Sequence, residues 1–360
     1  MRRVVGCMTG TSLDGLDAAL VEIEGHGLAM RAKLIRGLSK PIGPAAPTLR
    51  ALADGAALTA QQIAEASHAF TNAHIHAVRE LLQDQHADLI SVHGQTVFHR
   101  PPMSWQLFSP AALAHATHAS VVCDLRAADL AAGGQGAPIT PIADWILFRD
   151  HHARGIVNLG GFCNITLLPS AEVGTTDHIR GRDVCACNHV LNAVAKQALG
   201  IEYDRNGEMA LRGNPVMALV QELSALLRAQ ADAARSLGSG DELSVWVWKH
   251  RGKVEGPDIA SSACFAIADV IARSVKDCTE LVLAGGGAKN LALLEAIRQA
   301  SGLKVITTND LAIPVDMREA VCMAVLGALS ADGIVITLPA VTGAVNPGVA
   351  GVWTRPPTTH

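Results

Sequence analysis

Aromatic side chains are scarce, 3% of 360 residues with a single tyrosine, and charged residues reach only 17%. A core therefore has to be assembled from Ala, Val, Leu and Ile, which dominate a hydrophobic fraction of 49%. That fraction excludes a disordered chain. No apolar run reaches the roughly 18 residues that a membrane-spanning helix needs, and the stretch after Met1-Arg2-Arg3 is too short for a secretory signal. The chain reads as cytoplasmic. A surplus of positive charge is missing as well: Lys+Arg 29 against Asp+Glu 33 leaves −4, which offers no electrostatic footprint for nucleic acid or an anionic membrane. Eight cysteines lack the close, regular spacing of a disulfide framework, and most read as small buried hydrophobes.

At about 150 residues per domain the length suggests two domains. Residues 3–8 and 18–23 form a predicted β-hairpin around a Gly/Thr/Ser turn. About 150 residues later a second hairpin of the same design follows, with Asn158-Leu159-Gly160-Gly161 at its turn. Backbone N–H groups in such turns can cradle a phosphate. A third glycine element, Gly285-Gly286-Gly287-Ala288-Lys289-Asn290, follows an apolar strand and precedes a helix over 291–300, a place where a ring or phosphate can approach the backbone. It is not the dinucleotide fingerprint GxGxxG. Between these elements, helix (61–83, 111–118) alternates with strand (89–92, 120–123), which marks an α/β protein. The Gly/Pro stretch 133–138 is the expected domain boundary and hinge, giving units over 1–135 and 136–345 and a tail over 346–360. A glycine- and serine-rich loop is expected over 235–241.

Six ordered blocks carry a resemblance. They are Met8-Thr9-Gly10-Thr11-Ser12-Leu13-Asp14-Gly15-Leu16-Asp17, His93-Gly94-Gln95-Thr96, Ala131-Ala132-Gly133-Gly134-Gln135-Gly136-Ala137-Pro138, Asn158-Leu159-Gly160-Gly161, Gly285-Gly286-Gly287-Ala288 and Pro339-Ala340-Val341-Thr342-Gly343-Ala344. The chain resembles the anhydro-N-acetylmuramic acid kinase family. The resemblance implies an actin-like, hexokinase-like ATPase fold (ribonuclease H-like), α/β, with two domains about a central nucleotide cleft. It implies ATP-dependent hydrolytic opening and phosphorylation of 1,6-anhydro-N-acetylmuramic acid, a peptidoglycan-recycling reaction, and a homodimer.

Carried over position by position, the resemblance makes Asp183 the catalytic base. Gly10, Thr11, Ser12, Leu13, Asp14, Gly15, Leu16 and Asp17 would meet ATP, with Asn158, Gly160 and Gly161 on the same phosphates and Gly285, Gly286, Gly287 and Asn290 beside adenosine. Mg²⁺ would be held by Asp14 or Asp17, and the sugar by His93, Gln95, Arg126, Asp129 and Glu319. The chain departs from the family pattern after the catalytic Asp. The run Asp183-Val184-Cys185-Ala186-Cys187-Asn188 carries cysteine where the family has two glycines. A side chain at a left-handed position would cost roughly 1–2 kcal/mol and narrow the approach to a ligand. Sugar-side blocks drift as well, at Gln106-Leu107-Phe108-Ser109 and Asp124-Leu125-Arg126-Ala127. A catalytically impaired ATP-binding paralogue, or a kinase for another amino sugar, therefore stands as the alternative. Cys185-x-Cys187 also raises a zinc site, and with His189 a cysteine hydrolase, as weaker readings.

Overall fold

The structure, a computed structural model, describes residues 1–356 except 11, 12, 14, 173 and 233–240. Thr11, Ser12, Asp14 and most of the expected 235–241 loop lie outside the described residues. The chain divides into two compact units: Met1–Phe148 with Thr175–Ile179 and Met317–His360, and Arg149–Gly174 with Arg180–Asp316.

In the first unit, strands β1 (Arg2–Thr9), β2 (Leu16–Glu24), β3 (Arg31–Lys40), β4 (Leu89–Val92) and β5 (Ser120–Cys123) lie in the order 3-2-1-4-5. The first three are antiparallel neighbours, while β1, β4 and β5 run parallel. In the second, β6 (Arg154–Leu159), β7 (Phe162–Leu168), β8 (Arg180–Ala186), β9 (Glu280–Ala284) and β10 (Lys304–Thr307) repeat that order and those directions. Two copies of one mixed sheet in one chain make an α/β protein with the duplicated, ribonuclease H-like sheet that the resemblance implies. The expected hairpins are β1–β2 and β6–β7.

The expected unit lines at 135 and 345 are not those of the structure. The first unit runs on to Phe148 and takes back everything after Asp316. Its reason is helix α4 (Arg318–Ala331), which follows α1 (Ala60–Leu82), α2 (Gly256–Ser274) and α3 (Leu291–Ser301) along the chain. Every α4 residue from Ala320 to Ser330 is buried, the pattern of a helix inside a core rather than on a surface. It lies directly on β1: a Cβ added at Gly6 would stand 1.9 Å from Ala320 O and 2.5 Å from Ala324 N. Gly327 makes the same close approach to Ser91 of β4. The supposed tail also belongs to the fold, since Val352–Thr354 pairs antiparallel with β5 and covers its edge. Among the described residues no helix is long and apolar enough to cross a membrane.

The 133–138 stretch is not the crossing point between units. Asp129 accepts hydrogen bonds from Gly136 N–H and from Thr342 Oγ1. Gln135 N–H donates to Thr342 O (3.1 Å) and Val345 N–H to Ala132 O (2.8 Å). The glycine stretch is thereby pinned within the first unit by the Pro339–Thr342 helix.

Replacing Gly6 with Ala should lower stability by about 3 kcal/mol, the upper part of the overpacking range, because the atoms it meets are helix backbone. Urea unfolding followed by circular dichroism measures this; an unchanged midpoint would refute the packing.

Candidate functional site

In the first unit the chain leaves β1 through Gly10. Leu13 turns back at φ 58°, its N–H donating to Gly10 O (3.2 Å). Leu13 and Leu16 are buried, so neither side chain is placed to meet a ligand. Gln95 Nε2 donates to Gly10 O at 3.4 Å, and Thr9 Oγ1 to Gly94 O at 3.0 Å. The β1 turn and the His93-Gly94-Gln95-Thr96 block are thus one assembly.

His93 is 6% exposed and donates from Nδ1 to Gly94 O (2.8 Å), which leaves Nε2 as an acceptor. Arg126 fills that acceptor with Nε (3.1 Å) and Nη2 (2.8 Å), and donates from Nη1 to Gly136 O. Burial, reinforced by the Arg126 charge, pushes the His93 pKa down to about 3. A neutral imidazole therefore fixes the plane of a guanidinium. Asp129 is 1% exposed, with both oxygens engaged on Gly136 and Thr342. Its place is beneath the glycine stretch that carries Gly136 O to Arg126.

Glu319 stands in the first turn of α4 beside Arg318. That arginine is 1% exposed and grips the fully buried Asp144 with two hydrogen bonds, Nε to Oδ1 at 2.9 Å and Nη2 to Oδ2. Nη2 also reaches Thr140 Oγ1 at 3.3 Å. Burial raises the Glu319 pKa and the Asp17 charge adds to it, against the pull of Arg318 and Arg126. Asp17 itself accepts from Ser39 Oγ. A hard cation held through its water shell needs a carboxylate with access to solvent, and the half-buried Asp17 meets that requirement.

In the second unit three segments converge. Asn188 N–H donates to Gly160 O (3.0 Å) and its Nδ2 to Leu159 O (3.2 Å). A Cβ at Gly287 would stand 2.9 Å from Asn188 Oδ1 and 2.8 Å from Leu159 Cβ. Gly285, at φ 83°, has Asn158 Oδ1 2.8 Å from where a Cβ would be. The glycines thus let the ends of β6 and β9 meet, and Asn188 ties them. Asn290 caps α3, its Oδ1 accepting from Leu293 N–H at 3.0 Å. Asp183 lies exposed on β8 opposite Asn164, where the register shifts before Cys185. Such an irregularity re-aims a side chain.

Neither cysteine departure sits at a left-handed position. Cys187 has φ −124°, and Cys185 pairs with Cys163 in the β7–β8 ladder; neither is among the left-handed residues. Both are fully buried. A hydrogen bond from Cys185 and burial hold the Cys163 thiol well above its ordinary pKa, and burial does the same to Cys187. Such thiols are poor nucleophiles, against the hydrolase reading. Among the described residues the one grouping of three or more metal-type donors is elsewhere, at Asp150, His151 and His152, so Cys185 and Cys187 lack the ligands zinc needs.

Arg318, Asp144 and Asn188 were not singled out from sequence. Asn188 had a signal, as the last residue of the run that starts at Asp183. The Arg318–Asp144 pair had none, its partners being 174 residues apart.

A carboxyl whose pKa is raised on folding stabilises fully below its unfolded value of about 4.3, and that contribution is lost as pH rises through the folded value. Glu319→Gln should therefore melt above the parent at pH 8, with the gap closing toward pH 4. Thermal melts across that range test it; a gap that widens toward acid would refute a raised carboxyl pKa.

A family model described as anhydro-N-acetylmuramic acid kinase matches residues 2–356. Similar relatives, each named anhydro-N-acetylmuramic acid kinase, include one from Synechococcus sp. (strain CC9311), 33% identical over 98% of this chain and 100% of its own. Another, from Bordetella parapertussis, is 34% identical over 97% of this chain and 95% of its own. One from Salinibacter ruber is 31% identical over 95% and 94%. Near-complete coverage in both directions, with the paired sheets and their glycine turns in place, means that the chain belongs to the anhydro-N-acetylmuramic acid kinase family.

Proposed function

We propose that this protein uses water and ATP to convert 1,6-anhydro-N-acetylmuramic acid into N-acetylmuramic acid 6-phosphate and ADP. The observation that carries the reading is Asp183, exposed at the β8 irregularity in a chain that belongs to this family from end to end. Asp183 takes a proton from water as the water oxygen bonds to C1. The C1–O6 bond breaks, and O6 takes the γ-phosphoryl group as its bond to the ADP oxygen breaks. General-base help of this kind is worth roughly 10²–10⁴ in rate; the phosphoryl step relies on positioning and charge.

The β1 turn, Gly10 to Asp17 in sequence, offers backbone N–H groups to the triphosphate, as do Asn158, Gly160 and Gly161. Gly285, Gly286, Gly287 and Asn290 border adenosine. Asp17, with Asp14, holds Mg²⁺, which when bound neutralises phosphate charge. On the sugar, Arg126 is the partner for the lactyl carboxylate, since a guanidinium fork matches two oxygens at once. His93 and Asp129 act through Arg126, the first on its guanidinium and the second through Gly136. Gln95 and Glu319 would serve the sugar hydroxyls. The cysteines are buried and not left-handed, which removes the positive-φ argument for an impaired paralogue.

Incubation with ATP, Mg²⁺ and the anhydro sugar in ¹⁸O-water should give a product heavier by phosphate plus water, with the label on C1. Label at O6, or no product, would overturn the reading. Asp183→Asn should lower kcat by about 10²–10⁴ while ATP still binds by calorimetry. Arg126→Lys should raise KM for the sugar by about tenfold or more, the loss of a bidentate charged pair, with KM for ATP unchanged.

A further inference from the structure

The chain crosses from the first unit to the second at Phe148 and Arg149, and the next residues are Asp150, His151 and His152. We propose that these three form a binding site for a borderline divalent metal of the zinc class. Asp150 Oδ1 stands 2.5 Å from His151 Nδ1 and 3.9 Å from His152 Nδ1, and all three donor atoms lie within 4.8 Å of one another. Tetrahedral zinc with bonds of about 2.1 Å sets donors about 3.4 Å apart. Small rotations of His151, whose side chain is 74% exposed, close the difference.

What surrounds the donors argues for a built site rather than a chance cluster. His152 points its other nitrogen, Nε2, at Glu280 Oε2 (3.2 Å), a carboxylate 1% exposed and also held by Arg154 and Lys304. A buried carboxylate receiving the far N–H of a histidine fixes the tautomer with its lone pair at Nδ1, the arrangement that orients metal-ligating histidines. Asp150 is held in the same manner: Arg154 Nη2 takes Oδ2 at 2.6 Å, while the metal-side oxygen, Oδ1, accepts the His151 backbone N–H at 2.7 Å and faces His151 Nδ1. The backbone is pinned too, by Ala171 N–H to Asp150 O (2.7 Å) and Ser170 Oγ to His151 O (2.8 Å). Two imidazoles and one carboxylate suit Zn²⁺, Ni²⁺ or Co²⁺ and not Mg²⁺. Three protein ligands leave one position for water.

The test uses the full, tag-free chain with Co²⁺ alone as probe, in millimolar Mg²⁺ to occupy oxygen sites. Visible spectra and calorimetry should show one saturable site per chain, with d–d bands of nitrogen and oxygen ligation and no thiolate charge-transfer band. Affinity should fall at least tenfold in His151→Ala and in Asp150→Ala, and drop as pH falls through the imidazole range. His151 is exposed and removable without unfolding, and phosphoryl transfer at saturating substrates should be unchanged in His151→Ala. Equal Co²⁺ affinity in parent and His151→Ala, a thiolate band, or no saturable binding would each overturn the site, whatever the outcome for the kinase reaction.

Discussion

The buried pair of Arg318 and Asp144 is the interaction on which the first unit depends. Two opposite charges removed from water hold only while both are present and well hydrogen-bonded, and removing one partner of such a pair costs about 3–5 kcal/mol. Here the pair joins the start of α4 to the helix Pro141–Phe148. It thereby fixes where α4 begins, and with it the backbone contact of Ala320 on Gly6. A segment more than 300 residues from the N-terminus becomes the cover of the first strand.

The candidate site of this unit is a chain of fixed groups rather than a set of independent side chains. Thr342 and Gly136 hold Asp129, Gly136 O and His93 hold Arg126, and Gly94 O holds His93. Each link is buried or half-buried, where an electrostatic interaction is stronger than in water and an unmade one is expensive. His93 contributes by being uncharged. A second cation there would repel Arg126, and burial prevents it from forming.

What the sequence disclosed was local. Both glycine hairpins, the Gly285–Gly287 turn and the main helices and strands stand where residue patterns placed them, because a turn beside an apolar strand is decided by its own few residues. The unit boundary was not legible, since a glycine- and proline-rich stretch looks alike whether it swings or is tied down, and the tie at Thr342 lies 213 residues from Asp129. Nor was the backbone conformation at Cys185 and Cys187: whether a cysteine fits a glycine position turns on φ, which composition does not report. Asn188 shows the middle case, a residue inside a visible run whose partners, Leu159 and Gly287, come from two other segments.

All eight cysteines are buried and none is paired in a disulfide. Packing alone therefore guards eight reactive sulfurs, and the thiol chemistry of the chain is silent while it is folded. Cys7, Cys123 and Cys322 lie in one unit, and Cys163, Cys185, Cys187, Cys264 and Cys278 in the other. Alkylation at each position thus clocks the opening of its own half, so the molecule carries internal timers that distinguish which sheet comes apart first.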